Sequence, residues 1–158
     1  MNCKLISLDT STSSTGVAIY IVGIFSHHFL IETESKNAED RFEEMVTKLY
    51  ELIDKEKPDI VTTELTVVTR NAHSQRSLTM LLGAVYGKCI KEGIFYYSFR
   101  PSEWRSLIKT DQKPAGRKRE DYKNWSLNVV KLLYGLDVEK DDISDAILIG
   151  RAYVNKFS

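Results

Sequence analysis

A chain of 158 residues with 22 Lys+Arg against 22 Asp+Glu has a formal charge of +0, and at 42% hydrophobic residues with 8 Tyr, 6 Phe and 2 Trp it is neither disordered nor low in complexity. Its length fits one domain, 1–158, with a real core. The longest apolar stretch, Val17 to Phe25, is broken by Gly23 and is shorter than the about 20 residues of a membrane span, and Met1-Asn2-Cys3-Lys4 does not open a secretory signal. No membrane association and a cytoplasmic location are therefore expected. Cys3 and Cys89 form no CxxC and stand among apolar residues, which predicts buried free thiols in a reducing compartment.

Lys4–Asp9 reads as a strand whose apolar residues end on an acid. Thr10–Thr15 is an unbroken run of hydroxyl side chains, which bond to their own backbone and favour turns. Gly16–Val22 and Ile24–Ile31 are two more strands parted only by Gly23, so a tight hairpin is expected. Asn37 to about Lys57 has Phe42, Met45, Val46, Leu49, Leu52 and Ile53 at helical spacing and is stopped by Pro58. Asp59–Glu64 is a short strand that again ends on a carboxylate. Asn71–Glu92 is a second helix, with Gly83 and Gly87 one turn apart, where close approach of another backbone would offset the weakening of the helix. Ile94–Phe99 is a fifth strand, Pro101–Ile108 a short helix, Thr110–Gly116 a loop, and Arg117–Tyr134 and Asp142–Phe157 the last two helices. The order predicts an α/β fold: a mixed five-stranded sheet, three antiparallel strands followed by parallel β-α-β units, with helices on both faces.

The neutral total conceals segregation. Residues 32–64 hold eleven acids and five bases, a net −6, whereas residues 100–123 hold eight bases and four acids, a net +4. Asp9 and Glu64 both sit at strand C-termini, where open α/β sheets bind ligands. In Asp141-Asp142-Ile143-Ser144-Asp145, helical spacing puts Asp142 and Asp145 on one face, and equally Asp141 and Asp145. Carboxylates gathered in this way suit hard divalent cations, and two such ions about 4 Å apart support in-line displacement at a phosphodiester. Simpler roles stand beside this one: Asp141 or Asp142 as a helix cap, Asp9 opening an Asx-turn, Glu64 paired with Arg70.

These residues resemble the RuvC-type Holliday-junction resolvases of the RNase H-like fold. Leu8-Asp9, then five residues, then Thr15-Gly16 is similar to the family's opening strand. Thr63-Glu64, Arg70-Asn71-Ala72-His73-Ser74 and Gly83-Ala84-Val85-Tyr86-Gly87 resemble its second acidic strand and the helix after it, and Asp142-Ile143-Ser144-Asp145-Ala146 its C-terminal carboxylate pair. The resemblance implies Asp9, Glu64, Asp142 and Asp145 as catalytic metal ligands for two ions per site, Mg²⁺ with Mn²⁺ able to substitute. It also implies branched DNA as partner, a homodimer through the 71–92 helix, and paired nicks across a four-way junction. Two departures stand out: Thr10-Ser11 replaces the usual Pro-Gly, and Leu65, Thr66, Val67 and Val68 stand where the family has a base-stacking aromatic. The divergence suggests a phage-type or bacterial member with relaxed junction selectivity.

The basic segment supplies the DNA-binding candidates Arg100, Arg105, Lys113, Arg117, Lys118 and Arg119, joined by Arg70 and Asn71. Lys and Arg bind phosphates in a salt-dependent, largely sequence-blind way. Lys113 and Lys118 are the candidates nearest the cut, Lys118 with a catalytic role on developing charge. Trp104 and Trp125 read as core residues, and His27, His28 and His73 lack metal-ligand spacing. Competing functions are an ATP-binding fragment, since Asp9–Gly16 also resembles the first phosphate loop of sugar kinases and actin-like ATPases, and a catalytically silent branched-DNA-binding module. An RNase H or a flap nuclease would use the same ligands on other substrates.

Overall fold

The computed structural model describes residues 3–65 and 71–158. Its elements are β1 (Lys4–Asp9), β2 (Ser14–Ile21), β3 (Ile24–Glu32), α1 (Ala38–Glu56), β4 (Ile60–Glu64), α2 (Ala72–Glu92), β5 (Phe95–Phe99), α3 (Pro101–Ser106), α4 (Arg119–Tyr134) and α5 (Asp141–Phe157). The five strands form one sheet in the order β3-β2-β1-β4-β5. The first three are antiparallel neighbours, and β4 and β5 add in parallel. This is the mixed sheet the sequence predicts.

Local chemistry sets the element ends. Val22 (φ 52°) and Gly23 (φ 76°) turn β2 into β3, a pair of left-handed residues that matches the twist of a two-residue hairpin. Asn37 and Asn71 cap α1 and α2 with their side-chain oxygens. The fourth helix begins at Arg119 instead of Arg117, because the Asp121 carboxylate accepts the Lys118 backbone N–H and makes Lys118 the cap position. Lys140 caps α5, so Asp141 and Asp142 lie in its first turn, where acids favour the helix dipole.

Strand alternation divides the core in two. Ile6, Leu8, Val17, Ile19 and Val61 face one way and pack on Met45, Leu49 and Ile53 of α1 and Leu81, Val85 and Cys89 of α2. Leu5, Ala18, Tyr20 and Phe99 face the other way, toward Trp104, Trp125, Val129, Ile147, Ile149 and Tyr153 of α3, α4 and α5. The pleat that sends Ile6 and Leu8 to α1 sends Asp9 to the α5 side.

One expectation needs correction. Cys89 is buried, but Cys3 is exposed, because it precedes the buried run of β1 at the end of the sheet. At Gly83 and Gly87 the surface of α2 is open: among the described residues nothing lies within 4 Å of a Cβ built at either position.

Candidate active site

Asp9 and Glu64 end neighbouring parallel strands, and the register Leu8↔Thr63 sets the two carboxylates side by side at their C-terminal edge. The first turn of α5 closes over this edge. Gly16, paired with Asp9 across β1 and β2, is what lets it in: a Cβ there would lie 1.9 Å from the Asp142 carbonyl oxygen. Further along α5, a Cβ on Gly150 would lie 2.4 Å from the Tyr20 ring, so the helix seats on the sheet at two glycines.

The helix acids part company there. Asp141 turns to Lys123 of α4, 3.5 Å away. Asp142 accepts the Ser14 hydroxyl from the start of β2. Asp145, one turn on, interacts with both Glu64 and Asp9. Of the two residues the helical spacing leaves open, Asp142 is therefore the one on the Asp9 side. Glu64 accepts the indole N–H of the fully buried Trp104.

Like charges in a shielded edge raise one another's proton affinity. Burial first, then the charges of Asp145, Glu64, Asp142 and Asp141, hold the Asp9 carboxyl well above the usual carboxylate range. Burial and the charge of Glu64 push Asp145 up to about 7, against the Ser126 hydroxyl and the Arg105 charge. Glu64 is raised by burial, with Trp104 and Arg105 opposing. Among the described residues nothing hydrogen-bonds to the Asp9 side chain or forms an ion pair with it. A shielded carboxylate with no partner and acids around it is costly unless a cation joins it.

The donors fit such a cation by chemistry, since all are carboxylate oxygens. As the side chains stand, no three His, Cys, Asp or Glu side chains among the described residues group closely enough to hold an ion. Glu64 and Asp142 each accept a hydrogen bond through one carboxylate oxygen, from Trp104 and Ser14 respectively, which leaves the second oxygen of each.

The basic candidates fall into two groups. Arg105 borders the carboxylates, its guanidinium 4.2 Å from the Tyr122 ring centre and 5.1 Å from that of Trp104. Lys113, Arg117, Lys118 and Arg119 are exposed on the loop and helix start beyond it, and Arg100 is exposed ahead of α3. Asn71 uses its side-chain oxygen to cap α2, accepting from Ser74 N–H. Arg70 lies outside the described residues, as do Thr66, Val67 and Val68 of the segment lacking an aromatic.

Three contributors escape sequence reasoning. Ser14 is one hydroxyl in a run of six, with nothing to mark it as the partner of Asp142. Trp104 is a core residue, as expected, but its N–H is spent on Glu64. Tyr122 stacks on Arg105, a contact between two elements that no local pattern announces.

The sheet order and helix placement are those of the RNase H-like fold in the form found in RuvC-type junction resolvases. The chain is similar over 97% of its length to RuvC of Thermus thermophilus in complex with a Holliday junction substrate, covering 93% of that chain at a TM-score of 0.75 and 16% identity. Against another T. thermophilus RuvC structure the TM-score is 0.72 at 16% identity, covering 96% of this chain and 93% of that one. For Ydc2, the yeast mitochondrial Holliday junction resolvase, it is 0.62 at 16% identity, covering 98% of this chain and 78% of that one. At this identity the likeness is one of fold. No protein-family model matches the chain, and no curated sequence does.

Proposed function

We propose that this protein is a divalent-metal-dependent endonuclease that resolves four-way junctions or other branched DNA by paired nicks. The observation that carries the reading is the set of carboxylates Asp9, Glu64, Asp142 and Asp145 at one sheet edge, with Asp9 unpartnered among the described residues, on a fold shared with junction resolvases. Neither zero net charge nor the acidic α1 opposes it, because the phosphate-facing segment 100–123 is basic.

Asp9 and Glu64 on the strands, with Asp142 and Asp145 on α5, are the ligands for two Mg²⁺ ions, Mn²⁺ being able to substitute. When bound, these ions supply Lewis-acid activation of water and charge stabilisation for in-line displacement at phosphorus. Trp104 fixes the outer oxygen of Glu64, and Ser14 orients Asp142. Arg105 offsets part of the acidic charge and faces the incoming phosphate from the side of Glu64 and Asp145. Lys113 and Lys118, both exposed, meet the strand next to the cut, Lys118 on developing charge. Arg100, Arg117 and Arg119 continue the phosphate track, with Arg70 and Asn71 contacting DNA from the start of the 71–92 helix.

Paired nicks need two sites, and α2 offers the means. Met80, Gly83, Gly87 and Ile90 form one outward stripe; Met80 is 54% and Ile90 67% exposed. Glycines one turn apart let a second backbone approach, so a homodimer through α2 places one active site on each side of a two-fold axis. Among the described residues no helix is long and apolar enough to cross a membrane, and the proposed setting is the cytoplasm of a bacterium or of a phage-infected cell.

A panel of end-labelled four-way, three-way, flap and linear duplexes, with Mg²⁺ and with chelator, tests the reading. Metal-dependent incision of the branched substrates is expected. Tight junction binding without incision would instead make the protein a silent binding module.

A further inference from the structure

Beside the carboxylate edge, between α3, the loop after it and the start of α4, lies an open cleft of about 380 Å³. That is the scale of a small-molecule site, on the order of 300 Å³ or more. Its floor is apolar, from Ile108 and Trp125, and the stacked pair of Tyr122 and Arg105 forms one wall. Polar groups stand at the rim, among them Gln112 and Lys113. Trp125 donates its indole N–H to the Gln112 carbonyl oxygen at 3.0 Å, which ties the loop to the floor. The Arg105 Nε is buried and, among the described residues, has no hydrogen-bond partner. A flat wall of stacked guanidinium and phenol, an apolar floor and a lysine at the rim together describe the recognition of a planar ring that carries an anion.

We infer that this cleft receives one unpaired nucleotide of the branched DNA, next to the cleaved phosphate. The inference rests on the proposed function and adds a substrate subsite to it. The base stacks on the Tyr122–Arg105 wall, as single-stranded bases stack on aromatic and guanidinium planes. Its edge meets the Gln112 amide, and its phosphate meets Lys113. The cleft adjoins the acids, because the Arg105 guanidinium lies 5.1 Å from the ring centre of Trp104, whose indole N–H bonds to Glu64. A base drawn out of the helix here gives the protein a way to choose its cutting position.

Abasic scanning tests this. Four-way junctions that each lack one base near the crossover are cut by the full-length protein, by Tyr122→Ala and by Tyr122→Phe, with junction binding measured alongside. At one position, loss of the base is expected to slow the native protein and Tyr122→Phe by about fivefold or more, the scale of one lost stacking contact. In Tyr122→Ala the same abasic site should make less than a twofold difference. If base loss and Tyr122→Ala combine multiplicatively at every position, or if no position responds, the cleft holds no base and the inference fails while the nuclease reading stands. If no junction is bound or cut at all, the nuclease reading falls with it.

Discussion

Replacing Gly16 with alanine would put a methyl group 1.9 Å from the Asp142 carbonyl oxygen and 2.3 Å from its carbonyl carbon. Reaching ordinary contact at 3.4 Å requires the first turn of α5 to retreat by about 1.5 Å. The obstructing atoms are backbone, so no side chain can swing aside. Overpacking of this kind costs about 1–3 kcal/mol, a fall in melting temperature of about 2–12 °C for a domain of this size. The larger effect is on chemistry. The retreat carries Asp142 and Asp145 away from Asp9 and Glu64, and a misplacement of about 1 Å at a reacting centre costs on the order of 100-fold. The assay is incision of a labelled four-way junction beside a thermal melt. Gly150→Ala is the control: its methyl group clashes with the Tyr20 ring two turns further along α5, so it should lose similar stability and less activity. A Gly16→Ala protein that melts and cuts like the native one would refute the proposed seating of α5.

Trp104→Phe keeps an aromatic ring in the core but removes the donor to Glu64. We expect incision to fall about 10- to 100-fold, as when an outer-shell partner of a metal ligand is lost, with partial recovery at high Mg²⁺; no response to metal concentration would argue against a role at Glu64. Without metal, the protein should lose stability as pH rises from 5 to 8. Asp145, raised to about 7, and the raised Asp9 bind protons more tightly folded than unfolded. Their contribution is therefore full below the ordinary carboxylate range and lost as pH climbs through the folded value, about 2–3 kcal/mol for Asp145 over this window. Glu44, held down at about 2 by Lys48 and Ser35, titrates below the window and does not mask the trend. Melting temperatures with chelator should fall across it, and Mg²⁺ should flatten the profile; a metal-free profile that rises with pH would contradict the electrostatic account. Ile90→Asp places a charge in the outward stripe of α2 and should halve the mass seen by sedimentation, while an unchanged mass would place any dimer elsewhere.

Much of the fold was legible because the strands carry period-two apolar runs and the helices carry 3.6-residue stripes, and those patterns alone yield a mixed sheet covered on both faces. Asp9 and Glu64 could be read as strand-end acids from position alone. Choosing between Asp141 and Asp142 could not be done by spacing, since both share a face with Asp145. Tertiary contacts distinguish them, Lys123 taking the first and Ser14 lying against the second. Thr15-Gly16 stands out as a motif, but its physical cause, the close passage of α5, involves a residue 126 positions away and leaves no local signature. Trp104 is hidden for a related reason: a side chain read as core can carry one polar contact, and only its neighbours show which. Cys3 was misread because apolar residues follow it, while its place at the sheet end leaves it exposed.

The central claim is that the Asp9 carboxylate holds a catalytic cation. Its most direct test maps incision of a symmetrically labelled four-way junction by the native protein and by Asp9→Asn, in Mg²⁺, with junction affinity measured in parallel. The account predicts paired nicks from the native protein, their loss by at least 1000-fold in the variant, and junction binding retained by both. Undiminished incision by Asp9→Asn would contradict it.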